Sequence, residues 1–145
     1  MRVLAISTTL AVSAMLGSTV VSAQTNTGVR LTATLDGASE TPRPGDPDGT
    51  GTASVRINPG QKQLCYSITV RNIAPATMAH IHEAPAGSAG PVVRGLAAPT
   101  GGTSQGCLSI TRELALEIVR NPSDYYVNVH NLEFPGGAVR GQLGR

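Results

Sequence analysis

Strict alternation of apolar and polar residues recurs along this chain in short runs. Val29-Arg30-Leu31-Thr32-Ala33-Thr34-Leu35 and Thr52-Ala53-Ser54-Val55-Arg56-Ile57 carry an apolar side chain at every second position. Side chains on a strand point to opposite faces in turn, so this period predicts half-buried strands. Leu64-Cys65-Tyr66-Ser67-Ile68-Thr69-Val70 is the clearest example, and Thr77–Glu83, Cys107–Thr111, Tyr125–His130 and Ala138–Leu143 continue the series. A shorter strand is predicted over Pro91–Arg94. Turn residues punctuate the runs at Asn58-Pro59-Gly60, Ala74-Pro75 and Pro135-Gly136-Gly137. Asp36–Gly51 is rich in Pro, Gly and Asp and reads as a long surface loop, while Ala84–Gly106 is dominated by Gly, Pro and Ala.

One segment breaks the two-residue period. Between Arg112 and Arg120, Leu114, Ala115, Ile118 and Val119 recur at helical spacing. Glu113 near the start and Arg120 at the end complement the helix dipole, and Asn121-Pro122 stops the helix. The pattern as a whole predicts an all-β fold, an antiparallel Greek-key-like sandwich of about seven short strands. One short helix covers an edge or an end of it.

The first residues stand apart from this pattern. Met1-Arg2 is a short positive start, Val3–Val21 is apolar and uncharged, and Val21-Ser22-Ala23 is a small-x-small site. This predicts a secretory signal peptide over residues 1–23 and a domain over 24–145, starting at Gln24. The product is then exported, to the periplasm or the extracellular space, with no membrane span after cleavage. Roughly 120 residues remain, enough for one core and not for two. Basic residues are scattered singly and are almost all Arg, which excludes a nucleic-acid stripe and a polybasic membrane patch. The partner, protein or small molecule, stays unspecified.

Cys65 and Cys107 are the two cysteines, and an even count in an exported chain points to a disulfide. Parity agrees, because Cys65 shares its strand face with Ser67 and Thr69, and Cys107 with Ser109 and Thr111. A Cys/Cys/His metal site fits an oxidising compartment less well.

Candidate chemistry lies in the histidines. All three belong to one set, His80-Ile81-His82 and, about fifty residues later, His130. His80 and His82 share one strand face with Met78, opposite Ala79 and Ile81. His130 shares a face with Tyr126 and Asn128, opposite Val127 and Val129. All three imidazoles thus stand off the core face, as a metal cluster or as a polar hydrogen-bonded network. Three neutral imidazoles are the minimum set for copper or zinc, and Met78 offers copper a soft axial ligand. Glu83 points to the opposite face, which weakens a hydrolase reading that needs a general base. Asp46-Pro47-Asp48-Gly49 lacks the ligand spacing of a calcium loop and reads as a turn. No phosphate loop, nucleophile elbow or Cys-His pair is present.

The order of motifs resembles the CHRD domain, the module named for chordin and also found as single-domain exported proteins of bacterial type. The match runs through Leu31-Thr32-Ala33-Thr34-Leu35-Asp36-Gly37, Glu40-Thr41-Pro42, Gly51-Thr52-Ala53, Leu64–Val70, Ala79-His80-Ile81-His82 and Gly87–Val93. It ends on Tyr125-Tyr126-Val127-Asn128-Val129-His130 and Pro135-Gly136-Gly137-Ala138-Val139-Arg140-Gly141-Gln142-Leu143. The resemblance implies a β-sandwich similar in outline to immunoglobulin-like and copper/zinc superoxide dismutase folds. A site of the dismutase type needs about twice as many histidines as this chain has, so the outline does not carry the activity. Glu40 and Arg140 lie in two of the matching motifs and are expected to form a structural ion pair. Three readings of function remain at this point. They are an exported binding module holding one copper or zinc ion through His80, His82 and His130, a small metalloenzyme with an open metal position, and a metal-free structural or interaction module.

Overall fold

Each alternating run forms a strand. A computed structural model describes residues 27–145, so the signal segment expected over residues 1–23 lies outside the described residues. The strands are β1 (Val29–Asp36), β2 (Thr50–Asn58), β3 (Gln63–Arg71), β4 (Ala76–Glu83), β5 (Val92–Leu96), β6 (Thr103–Ser109), β7 (Tyr125–Asn131) and β8 (Val139–Gln142). The helix α1 spans Arg112–Arg120, and a single 3-10 turn over Pro122–Asp124 leads into β7. Most boundaries shift by one or two residues from the sequence reading, and two shifts around β6 are larger in consequence. β6 starts at Thr103, and Thr111 is not its last residue but the N-cap of α1, its side chain accepting from the Leu114 N–H at 3.2 Å.

The strands form one antiparallel sheet in the order β5-β4-β7-β8-β1-β2-β3-β6. β1, β2 and β3 pair in full register as a meander, whereas β8 meets β1 through Asp36 and Arg140, with one further bridge from Thr32 to Gly144. The sheet curls so that its two halves face each other, which gives the expected sandwich outline. Leu31, Leu35, Val55, Ile57, Leu64 and Ile68 of one half join Ala79, Ile81, Val127, Val129 and Val139 of the other in one buried cluster. α1 closes one end by adding Ala115 and Ile118 to that cluster. Among the described residues no helix is long and apolar enough to cross a membrane.

Cys65 and Cys107 are directly opposed on β3 and β6, with Cα atoms 4.0 Å apart, and are joined by a disulfide. The bond closes a loop of 42 residues. Chain-entropy arguments give such a closure about 4 kcal/mol as an upper figure. Both cysteine side chains lie off the core face, so the bond ties the edge strand to its neighbour without occupying core volume.

Candidate metal centre

β4 and β7 are hydrogen-bonded neighbours, and their register decides the site. Met78 opposes His130, His80 opposes Asn128, and His82 opposes Tyr126. Direct partners share a face, so these six side chains form one patch on the side opposite Ala79, Ile81, Val127 and Val129. The ring centroids of His80 and His130 are 5.0 Å apart, and those of His80 and His82 are 5.5 Å apart. One ligating atom from each of the three imidazoles lies within 4.8 Å of the others.

This patch is not the solvated outer face that alternation alone suggests. His82, Asn128, His130 and Tyr126 are all buried, and His80 is half-buried. Three connections fold over the sheet to cover it. The β4–β5 connection brings the Gly90 carbonyl to His82 Nδ1 at 2.9 Å, and the β7–β8 turn brings the Pro135 carbonyl to His130 Nδ1 at 3.0 Å. The β1–β2 loop packs on that turn through Asp46 N–H to the Ala138 carbonyl at 2.8 Å. Within the loop Asp46 Oδ1 accepts from the Asp48 N–H at 3.1 Å, so Asp46-Pro47-Asp48-Gly49 is a self-bonded turn.

The two backbone acceptors fix the imidazole tautomers. A carbonyl accepts only from an N–H, so His82 and His130 carry their proton on Nδ1 and direct the Nε2 lone pair inward. His82 Nε2 is buried and has no hydrogen-bond partner. His130 Nε2 lies 3.1 Å from His80 Nδ1 and 3.1 Å from Asn128 Oδ1. With the His130 proton already committed to Pro135, its Nε2 has none to give Asn128. The pair is satisfied by the opposite amide orientation or by a cation held between the lone pairs.

Electrostatics favour the neutral form of His80 and His130. Burial lowers the pKa of His80 below its ordinary value, and the neighbouring His130 and His82 lower it further, against a hydrogen bond donated to Asn128. Burial also lowers that of His130, opposed by the bond to Pro135. Neutral imidazole is the form that can ligate a metal. No carboxylate joins the cluster among the described residues. Glu83 is exposed and opposes Tyr125 on the other face.

The residues around the triad were visible in the sequence as same-face neighbours, but their roles were not. Tyr126 stacks on His82 with centroids 4.8 Å apart and planes 9° apart, and the Arg140 guanidinium sits 3.4 Å from the Tyr126 centroid. β7 lies between β4 and β8, so the tyrosine ring is held between an imidazole and a guanidinium that come from opposite flanks. Its hydroxyl accepts from the Gly90 N–H at 3.3 Å, which fixes the loop that orients His82.

Arg140 and Glu40 are both buried in this layer but make no direct ion pair. Arg140 donates to Thr41 Oγ1 at 3.0 Å and to the Pro85 carbonyl at 3.2 Å, and the one ion pair within 4 Å among the described residues is Glu117–Arg120. Glu40 Oε1 is buried without a partner, against Gly137, where a Cβ would strike the carboxyl group. Burial pushes the Glu40 carboxyl up to about 7, even though the Arg140 charge pulls the other way. The folded protein therefore binds a proton there that the unfolded chain releases above about 4.5. Stability from this group is present below that pH and is lost as pH rises through 7. Glu40→Gln is expected to stabilise the fold at pH 8 by on the order of 3 kcal/mol and to change it little at pH 4. Urea denaturation at the two pH values measures this, and equal effects at both would contradict it.

Comparison with known proteins bears on the same motifs. The CHRD domain model matches residues 31–143, a span that holds all three histidines, Glu40 and Arg140. Neither the curated proteins nor the solved structures contain a match to the chain. The match covers nearly the whole described fold, so this chain belongs to the CHRD domain family.

Proposed function

We propose that this protein is an exported binding module that holds one copper or zinc ion through His80 Nδ1, His82 Nε2 and His130 Nε2. The observation that carries the reading is His82 Nε2, a buried lone pair with no partner, on a ring whose other nitrogen is held by a backbone carbonyl. An imidazole fixed in this way by its outer nitrogen is the usual setting of a histidine ligand. A tetrahedral ion with bonds of about 2.0–2.1 Å holds its nitrogens about 3.4 Å apart. The His80–His130 pair at 3.1 Å is near that spacing, and the three rings offer one ligand atom each within 4.8 Å of one another. Met78, beside His130 in register and 46% exposed, offers copper a thioether at the open side. With no carboxylate in the cluster, hydrolysis has no general base beside the ion, which favours binding over hydrolytic chemistry.

The disulfide supports export, and the signal segment then leaves a chain starting at Gln24. The intact mass of secreted protein checks this, and a retained Met1 would contradict it. Metal binding is checked by thermal unfolding. Zinc or Cu(II) at roughly 100 times its dissociation constant is expected to raise Tm by about 10 °C. The rise should shrink as pH falls below the histidine range, because protons compete for the ligand nitrogens. A Tm that ignores both metals at pH 7.5 would leave the patch as a hydrogen-bonded network.

A further inference from the structure

The curled sheet does not close into a barrel, and its two edges, β5 and β6, leave a seam at the end covered by α1. A shallow depression of about 470 Å³, open to solvent over much of its extent, lies there. Its walls include Val93, Ile110 and Leu114, which also pack against the core. Its charged lining is mostly cationic, with Lys62, Arg94 and Arg112 against the single carboxylate of Glu113, and Ser109 and Thr111 add hydroxyls.

Arg94 is the unusual member. It opposes the core residue Ile81 in register, so it stands on the inward side of an edge strand. Its Nε is sealed from solvent and finds no acceptor among the described residues. A buried guanidinium N–H without an acceptor costs stability, and native proteins leave few such groups without a reason. The first turn of α1 adds to the same wall. Thr111 Oγ1 satisfies the Leu114 N–H, which leaves the Arg112 and Glu113 N–H groups without helical acceptors.

We infer that the β5–β6 seam is a binding site for a small organic carboxylate, its head group on Arg94, Lys62 and Arg112 and a short apolar tail against Val93, Ile110 and Leu114. The site is separate from the histidine patch, which lies on the other face of β4, and it does not depend on the metal reading. An inward charge on an edge strand has one competing purpose, to stop edge-to-edge pairing between molecules. The two purposes differ in whether a ligand is bound.

The test uses the purified protein with hexanoate, acetate and 1-hexanol, followed by amide NMR and calorimetry. Hexanoate is expected to bind at least about tenfold more tightly than acetate or hexanol, and to shift the Arg94 and Leu114 amides rather than those of His80 and His130. Arg94→Gln should weaken hexanoate by at least about tenfold, as expected for loss of a charged hydrogen bond. Arg112→Gln, at an exposed position, should weaken it several-fold. Equal binding of hexanol and hexanoate, shifts centred on the histidines, or hexanoate affinity unchanged in both variants would overturn the proposal. In the last case Arg94 would serve only to guard the edge.

Discussion

His82→Ala is expected to weaken zinc or copper binding by at least about 100-fold while leaving the fold intact. Loss of an outer partner of a metal ligand alone costs 10–100-fold, and this change removes the ligand itself. The variant also loses the Gly90 contact and the stacking on Tyr126. Both lie outside the apolar cluster, so the destabilisation stays near 1–2 kcal/mol. His130→Ala should weaken binding to a similar degree. That result would be informative because His130 reaches the site only through the β4–β7 pairing. Competition titration against a chelator of known affinity reads both variants. A loss below about threefold in either one would remove that residue from the ligand set.

Gly141→Ala is expected to destabilise the protein by about 3 kcal/mol or more. Gly141 sits in β8, paired with Val127 of β7, at the place where β8 passes β1. A Cβ there would fall on the Thr34 carbonyl oxygen and crowd Leu35. Backbone cannot move aside as a flexible side chain does. β8 joins β1 through few pairs, so the added methyl strikes the narrowest join between the two halves of the sheet. A loss of this size is a large part of the 5–15 kcal/mol that holds a typical domain together. The denaturation midpoint measures it, and a shift worth less than about 1 kcal/mol would show that the join can open without cost.

Alternation made most of the fold readable in advance, because a strand with one buried face must place apolar residues at every second position. It failed at the start of β6. Thr103-Ser104-Gln105-Gly106 has no large apolar member, and the position at Gly106 is filled by the ring of its partner on the adjacent strand, Tyr66. Parity placed His80, His82 and Met78 on one face, but no periodicity says which strands are neighbours. The pairing of β4 with β7, and with it the meeting of His130 with His80, comes from the topology. Burial of the patch was not readable either. It depends on the Gly90 and Pro135 carbonyls, which belong to turns whose sequence announces a bend and not its target. The motif resemblance brings Glu40 and Arg140 together as an expected pair, and both lie in the same buried layer. Arg140 turns instead to Tyr126, Thr41 and Pro85, neutral partners that no charge pattern points to.

The proposed function requires three imidazoles acting together on one ion. X-ray absorption at the zinc edge, on protein loaded with one equivalent and freed of excess metal, counts those ligands. The expected spectrum has three imidazole nitrogens at about 2.0–2.1 Å and one further light-atom or sulfur ligand. Protein that retains no zinc, or a spectrum with one imidazole or none, would contradict the shared site of His80, His82 and His130.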